Sequence, residues 1–241
     1  MRYLVLISLI IVLSNCKKET ISTIDLGLDY YPTEIGFWQT YKVDSISFSD
    51  FTDPISIDTS SYFIKEIIES SYLDFDLDTN YRVEQFKSYN DSSWFINHIV
   101  SLKKTSVNLQ RVENDLRFIK LTFPPKDDQT WGGNKYLDII DEQSLDFFNP
   151  NKFNWEYTYS AVNESQTIGN FTFDSCIVVT QIDEENLFEK KYSKEIYAKN
   201  VGLVYKELLI LKTQAAPSNN DFIERAENGF ILIYTISNFK Q

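Results

Sequence analysis

The links between segments constrain this chain more tightly than the segments themselves. Across residues 37–239, runs of β-branched, aromatic and aliphatic residues are mostly separated by clusters of Asn, Asp, Ser, Gly or Pro of hairpin length, as at Asn90-Asp91, Asn114-Asp115 and Asn200. Strands joined by such short links lie antiparallel and side by side, because a parallel neighbour requires a crossover of about a dozen residues or more. Eleven runs qualify: 37–48, 60–73, 80–90, 92–104, 106–113, 116–123, 153–163, 171–183, 187–199, 201–213 and 229–239. No long stretch of helical periodicity competes with them. Phe, Tyr and Trp make up 15% of the chain against 7 Gly and 6 Pro, a balance that suits packed strands rather than loops or disorder. The pattern predicts an all-β fold, an antiparallel meander curled into a half-barrel, a barrel-like sheet or a sandwich so that few edges stay open. One or two short helices are expected, near 144–149 and 218–227.

Alternation within the runs assigns faces. Phe153, Trp155, Tyr157 and Tyr159 share one face of 153–160, while Asn154, Glu156, Thr158 and Ser160 share the other, as in a half-buried strand. The run Phe230-Ile231-Leu232-Ile233-Tyr234-Thr235-Ile236 is apolar on both faces and should be a central strand covered on both sides. Residues 203–211 are similar, with Leu203, Leu209 and Leu211 on one face and Val204, Leu208 and Ile210 on the other; these two runs are the expected heart of the core. Trp94, Ile96, His98, Val100 and Leu102 share one face of 92–104. A polar ring on such a face needs a hydrogen-bond partner or a wet cavity. His98 therefore reads either as a satisfied core or rim histidine or as a pocket ligand. His98, Trp94, Trp155, Tyr157 and Tyr159 are the candidate ligand-binding residues, with a filled core as the alternative use of the aromatic rings.

The chain opens MRYLVLISLIIVLSNC, a charged start followed by an apolar run from Leu4 to Leu13, which is the build of a secretory signal peptide over residues 1–15. An apolar helix of that length spans about 15 Å, half of a bilayer core, so a permanent transmembrane helix is not expected. Leu13-Ser14-Asn15-Cys16 resembles the bacterial lipobox, with Asn15 standing where Gly, Ala or Ser is usual. The resemblance implies lipidation of Cys16, and two or three acyl chains make a nearly permanent membrane anchor. Residues 16–33 then read as the lipidated cysteine and a tether, and 34–241 as a single β domain. Lys17 follows Cys16 in place of the aspartate that marks inner-membrane retention in the enteric sorting rule, which points to the outer membrane. Lys17-Lys18-Glu19 is similar to the charged export tags of surface lipoproteins in Bacteroidota and reads equally as a solvated tether.

Removal of residues 1–15 deletes one positive charge, Arg2, and takes the formal net charge from -12 to -13. Such acidity argues against nucleic acid and anionic headgroups as partners. Cys176 would be the only cysteine besides Cys16, so no intramolecular disulfide is expected. Its place in a strand-like run suits a buried, inert thiol.

Several strings carry a family resemblance: Asp29-Tyr30-Tyr31-Pro32 through Gly36-Phe37-Trp38-Gln39-Thr40-Tyr41, Asn114-Asp115-Leu116-Arg117-Phe118-Ile119-Lys120 with Phe123-Pro124, Trp131-Gly132-Gly133-Asn134, and Tyr197-Ala198-Lys199-Asn200-Val201-Gly202-Leu203-Val204-Tyr205-Lys206-Glu207. Together they resemble the marks of an uncharacterised Bacteroidota outer-membrane lipoprotein family. The resemblance implies an envelope address and a β architecture, of the lipocalin-like or lipoprotein-carrier-like kind, and no activity. Gly36 and Gly202 suit turns entering strands, and Trp38, Tyr41 and Tyr205 suit core anchors.

Recognisable chemistry is sparse. One histidine excludes a multi-histidine zinc site, and no G-x-S-x-G elbow, P-loop or Rossmann fingerprint occurs. Asp74-Phe75-Asp76-Leu77-Asp78-Thr79-Asn80 looks like the start of a calcium loop, but Thr79 holds the position of the required Gly and Gln85 that of the closing Glu. A solvated hairpin loop is the simpler reading, with no metal and no cofactor expected. The expected function is thus a non-catalytic, membrane-tethered domain that binds an apolar small molecule, a lipid or a glycan. The alternative is an interaction module that assembles with other outer-membrane proteins. A cavity would favour the first and a filled interior the second.

Overall fold

The computed structural model describes residues 25–137, 155–215 and 221–240. Its strands are β1 (Trp38–Ser49), β2 (Ser56–Leu73), β3 (Thr79–Ser88), β4 (Phe95–Lys104), β5 (Asn108–Glu113), β6 (Leu116–Thr122), β7 (Thr130–Gly132), β8 (Glu156–Ile168), β9 (Phe171–Glu185), β10 (Glu189–Ala198), β11 (Gly202–Lys212) and β12 (Asn228–Phe239). All belong to one antiparallel sheet in the order β6-β5-β4-β3-β2-β1-β12-β11-β10-β9-β8-β7. The predicted meander is therefore present, with eleven expected strands and one additional one. β7 escapes the sequence pattern because three residues are too few to show a period, and Trp131-Gly132-Gly133 reads as a turn. Instead of helices, the described residues contain 3-10 turns at Leu28–Tyr30 and Phe222–Arg225. The expected turn at 144–149 lies outside the described residues, as do the signal segment and Cys16.

The sheet curls into a nearly closed barrel with one seam. Strands β6 and β7 are its two edges, and they meet without forming a ladder. Ile119 N donates to Gly133 O at 2.8 Å, and Trp131 Nε1 donates to Ile119 O at 2.9 Å. Tyr159 Oη donates to Thr122 O at 2.7 Å and accepts from Thr122 N at 2.9 Å. Gly133 is required at this junction, since a Cβ there would lie 2.4 Å from the Tyr157 ring. Curling is aided by β-bulges, including three along the β8–β9 hairpin, because each extra residue bends its strand and adds local twist.

Apolar residues fill one end of the barrel and cover part of its outside. Ile68, Val83, Val100, Leu102, Leu109, Leu121, Ile177 and Val179 are buried in one cluster with Tyr157, Tyr159 and Tyr197. In a second buried cluster Ile168 and Phe173 of the β8–β9 hairpin join Tyr41, Val43, Ile64 and Ile236, and Phe173 meets the Phe239 ring at 6.0 Å. The turn after Asp221 places Phe222 over Leu209, Leu211, Ile231 and Phe48. Residues of both faces of β12, Ile236 and Ile231, are thus buried, in keeping with its doubly apolar sequence.

The end of the expected tether belongs to the folded body. Tyr30 and Tyr31 are 1% and 7% exposed and join the main core cluster. Tyr30 Oη donates to Asn163 Oδ1 at 2.6 Å, Asn200 N donates to Asp29 O at 2.7 Å, and Lys104 Nζ donates to Tyr31 O at 2.9 Å. The 16–33 boundary is corrected accordingly: two adjacent tyrosines bring more apolar surface than a solvated linker would carry, and they stopper one end of the barrel.

Loss of the seam bond should be measurable. Tyr159→Phe strands the Thr122 amide and is expected to cost about 1–3 kcal/mol, read as a lower urea midpoint with an unchanged slope.

Candidate ligand-binding cavity

The barrel is not filled. A cavity of about 570 Å³ lies inside it, with Tyr31, Tyr41, Leu102 and Leu109 at the stoppered end. The β5–β6 turn, Asn114-Asp115, lines the other end and is exposed, so the cavity opens there. Near that mouth the walls are apolar, with Leu116, Phe118, Leu208, Ile210 and Phe230.

Between floor and mouth runs a belt of charged and amide side chains. Arg111 Nη2 donates to Glu66 Oε1 at 2.5 Å and Nη1 to Glu66 Oε2 at 3.1 Å, a bidentate pair. Gln85 Nε2 donates to the same Glu66 Oε1 at 2.9 Å, and Arg111 Nε donates to Glu113 Oε2 at 2.9 Å. On the opposite wall Lys120 Nζ donates to Glu195 Oε1 and Tyr197 Oη to Glu195 Oε2, each at 2.6 Å. Glu195 is 1% exposed. Gln181 Oε1 accepts from Ser193 Oγ at 2.8 Å.

These contacts set the ionisation of the belt. The Arg111 charge holds the Glu113 carboxyl down at about 2, against the opposing effect of burial and with help from Lys206. Burial pushes Glu195 up, and the charges of Lys120 and Lys206 with two hydrogen bonds outweigh it, so its carboxyl lies below the usual range. Burial opposes the charge on Arg111, yet Glu66 and Glu113 hold the guanidinium well above its ordinary value. Burial, then Glu195, raises the Tyr197 phenol well above its own.

The candidate residues separate into three groups. Trp155 and Tyr157 line the cavity, and Tyr157 Oη donates to Asn134 Oδ1 at 3.0 Å. Tyr159 is fully buried at the seam, away from the cavity lining. Trp94 and His98 do not line the cavity, and His98 is exposed. The expected face of β4 is broken by a bulge, since Gln85 pairs with His98 while Phe86 pairs with Ile96, which leaves Asn97 as the extra residue. Asn97 rather than His98 makes the inward contact, donating from Nδ2 to Gln85 Oε1 at 2.7 Å.

Two further candidates resolve simply. The 74–80 loop is a hairpin organised by Asp74, which accepts from the amides of Asp76 and Asp78 at 3.0 and 2.9 Å. Its cation is a lysine, because Lys103 Nζ lies 2.9 Å from Asp74 and 2.6 Å from Asp78. Cys176 is fully buried, and burial pushes its thiol up to about 11, which makes it an inert core residue.

Sequence reasoning missed the belt: Glu66, Arg111, Glu113, Lys120, Gln181, Glu195 and Lys206 were not singled out. One signal was available. Lys206 shares the face of Leu208 and Ile210, and Arg111 falls between Leu109 and Glu113 on one face of a short strand. A charge on an otherwise apolar face is informative in itself.

Fold and cavity define a twelve-stranded antiparallel barrel, stoppered at one end and hollow toward the other. No protein-family model and no curated protein matches the chain. Among solved structures it is similar to a protein of Bacteroides fragilis, provisionally classed as exported and of YmcC-like fold, with a TM-score of 0.41 and 14% identity over 88% of this chain and 98% of that one. It is also similar to a provisionally classed lipoprotein of Parabacteroides distasonis, with a TM-score of 0.32 and 12% identity over 88% of this chain and 98% of that one.

Breaking the belt should be costly. Arg111→Met leaves Glu66 without its cation and is expected to destabilise the protein by about 3–5 kcal/mol, with part of the loss recovered when Glu66→Leu is added, measured by chemical denaturation of both variants. Glu113 has a folded value below its unfolded one, so its contribution is complete above about pH 4.5 and disappears as pH falls toward about 2. Glu113→Gln should therefore flatten the loss of stability across that interval.

Proposed function

We propose that this protein is an envelope lipoprotein whose barrel is a non-catalytic binding domain for an apolar or amphiphilic small molecule. The observation that carries the reading is the cavity: about 570 Å³ falls within the range of roughly 300–1,000 Å³ typical of small-molecule sites, with apolar walls at its open end. A pure interaction module has no use for a hollow interior, because filling it would gain packing energy. The engaged state of Glu113 and Glu195 supports binding over catalysis, since each is held ionised by a neighbouring cation and neither is poised as a general acid near neutrality.

In this proposal residues 1–15 are removed, an acylated Cys16 anchors the chain in the outer membrane, and the barrel hangs in an aqueous compartment. Ion pairs on the outside of the wall, Lys42 with Asp44 and Arg82 with Glu69, suit water rather than lipid around the strands. A glycan is the less favoured ligand, because the walls near the mouth are aliphatic and aromatic with few polar groups to meet its hydroxyls.

Two measurements test the reading. N-phenyl-1-naphthylamine, a neutral apolar dye, should fluoresce on entering the cavity, and Leu208→Trp, which puts a bulky ring into its apolar stretch, should weaken the dye by about tenfold or more, equivalent to about 1.4 kcal/mol. Equal dye binding by the Leu208→Trp variant would place the dye away from the apolar stretch and overturn an apolar ligand there. Cys16→Ser should move the protein from the membrane fraction to the soluble one without lowering its melting temperature; retention in the membrane would refute the anchor.

A further inference from the structure

The belt inside the barrel is unevenly satisfied. Its carboxylates are engaged, as the Arg111, Gln85, Lys120 and Tyr197 bonds to Glu66, Glu113 and Glu195 show. Two of its donors are not. Lys206 on β11 lines the cavity and stands directly across from Glu195 on β10. Facing residues on antiparallel strands have Cα atoms only about 4.5–5.5 Å apart, so an ion pair would be expected here. It does not form; Glu195 is bonded through one oxygen to Lys120 and through the other to Tyr197. Among the described residues, the Lys206 ammonium makes no hydrogen bond or ion pair, and its recorded contact is with the face of Tyr234, 5.6 Å from the ring centre. Gln181 is the second donor. It is 3% exposed, it lines the same cavity, and its Nε2 has no partner while its Oε1 is held by Ser193. Gln181 is also the extra residue of a bulge, since Ser193 pairs with Ile182 and Lys194 with Thr180, and a bulge re-aims the side chain it carries.

A buried donor without an acceptor costs about 1–3 kcal/mol, and more where the group is charged. Gln181 Nε2 is such a donor, and the half-buried Lys206 ammonium in the same cavity has no acceptor among the described residues; together they describe the missing partner: a group rich in acceptor oxygens, carrying negative charge, at the depth of β10 and β11. Apolar walls between that level and the mouth describe what is attached to it. Deepening the binding function proposed above, on which this inference rests, we propose that the ligand is a single-chain amphiphile that enters head first. Its anionic oxygens are received by Lys206 Nζ and Gln181 Nε2, and its chain lies along Leu208, Ile210, Phe118 and Phe230 toward the open end. Burial of the head's charge is offset by the ammonium, whose protons have no acceptor among the described residues.

The test compares head groups on one chain length. With the full chain carrying Cys16→Ser, so that no detergent is present, N-phenyl-1-naphthylamine is displaced by palmitate, by single-chain lysophosphatidylglycerol, by hexadecanol or by hexadecylamine. Expected is displacement by at least one anionic amphiphile at a concentration about tenfold or more below that of hexadecanol, and loss of that preference in Lys206→Met but not in Lys206→Arg. Whichever anion depends on Lys206 identifies the head as carboxylate or phosphate. Equal potency of anion and alcohol in the unsubstituted cavity, a preference that survives Lys206→Met, or stronger displacement by the amine would each overturn the head-first anion while leaving a cavity ligand in place. The acid-to-alcohol comparison needs no cavity substitution, so it stands even if Lys206→Met folds poorly. Failure of the dye to bind at all would overturn the binding function and this inference with it.

Discussion

Pairing of the first strand with the last holds the molecule together. Every other ladder of the sheet joins strands that follow one another in the chain, and such hairpins form locally. The β1–β12 ladder, which runs from Gln39 with Phe239 to Phe48 with Gly229, joins β1–β6 and β7–β12 into one sheet. It also decides where the edges fall. Two separate half-sheets would expose four edges, whereas the joined sheet leaves only β6 and β7, and these face each other across the seam. The hollow interior, the stopper at Tyr30 and Tyr31 and the inward belt of charge all presuppose that closure.

The belt shows how electrostatics shape an interior that packing leaves open. Ionised groups away from water are tolerable when their partners are fixed, and Arg111 and Lys120 are each matched to a carboxylate within hydrogen-bond distance. The cations Arg111, Lys120 and Lys206 and the carboxylates Glu66, Glu113 and Glu195 balance formally, yet the pairing is lopsided. Arg111 bonds two carboxylates, and among the described residues Lys206 bonds none. A cavity with balanced charge and unbalanced hydrogen bonding is a poor core, and the proposed ligand would complete it. Such asymmetry separates this interior from one that is simply underpacked.

Strand positions were legible because both of their signals are local. Period-two alternation and hairpin-length links need no knowledge of distant residues, so runs such as 116–123 and 229–239 matched β6 and β12 closely. The burial of Trp155, Tyr157 and Tyr159 followed from the same alternation. His98 did not follow, because alternation fails wherever a strand gains a residue. The bulges at Asn97, Lys120 and Gln181 each insert one, and all three side chains join the belt or bond to it. Periodicity errs at positions that line or adjoin the cavity, since a bulge depends on the register of the neighbouring strand and leaves no local mark.

The amino-acid sequence by itself determined an antiparallel meander with a doubly covered C-terminal strand, because hydrophobic alternation and turn chemistry act over a few residues. Tertiary structure alone decided that the meander closes on itself through β1 and β12, that the closed sheet stays hollow, and that the Lys206 ammonium and Gln181 Nε2 face the hollow with no acceptor among the described residues. Strand number, bulge placement and competition among inward charges settle those outcomes together, and each is a property of the closed sheet rather than of any segment of it.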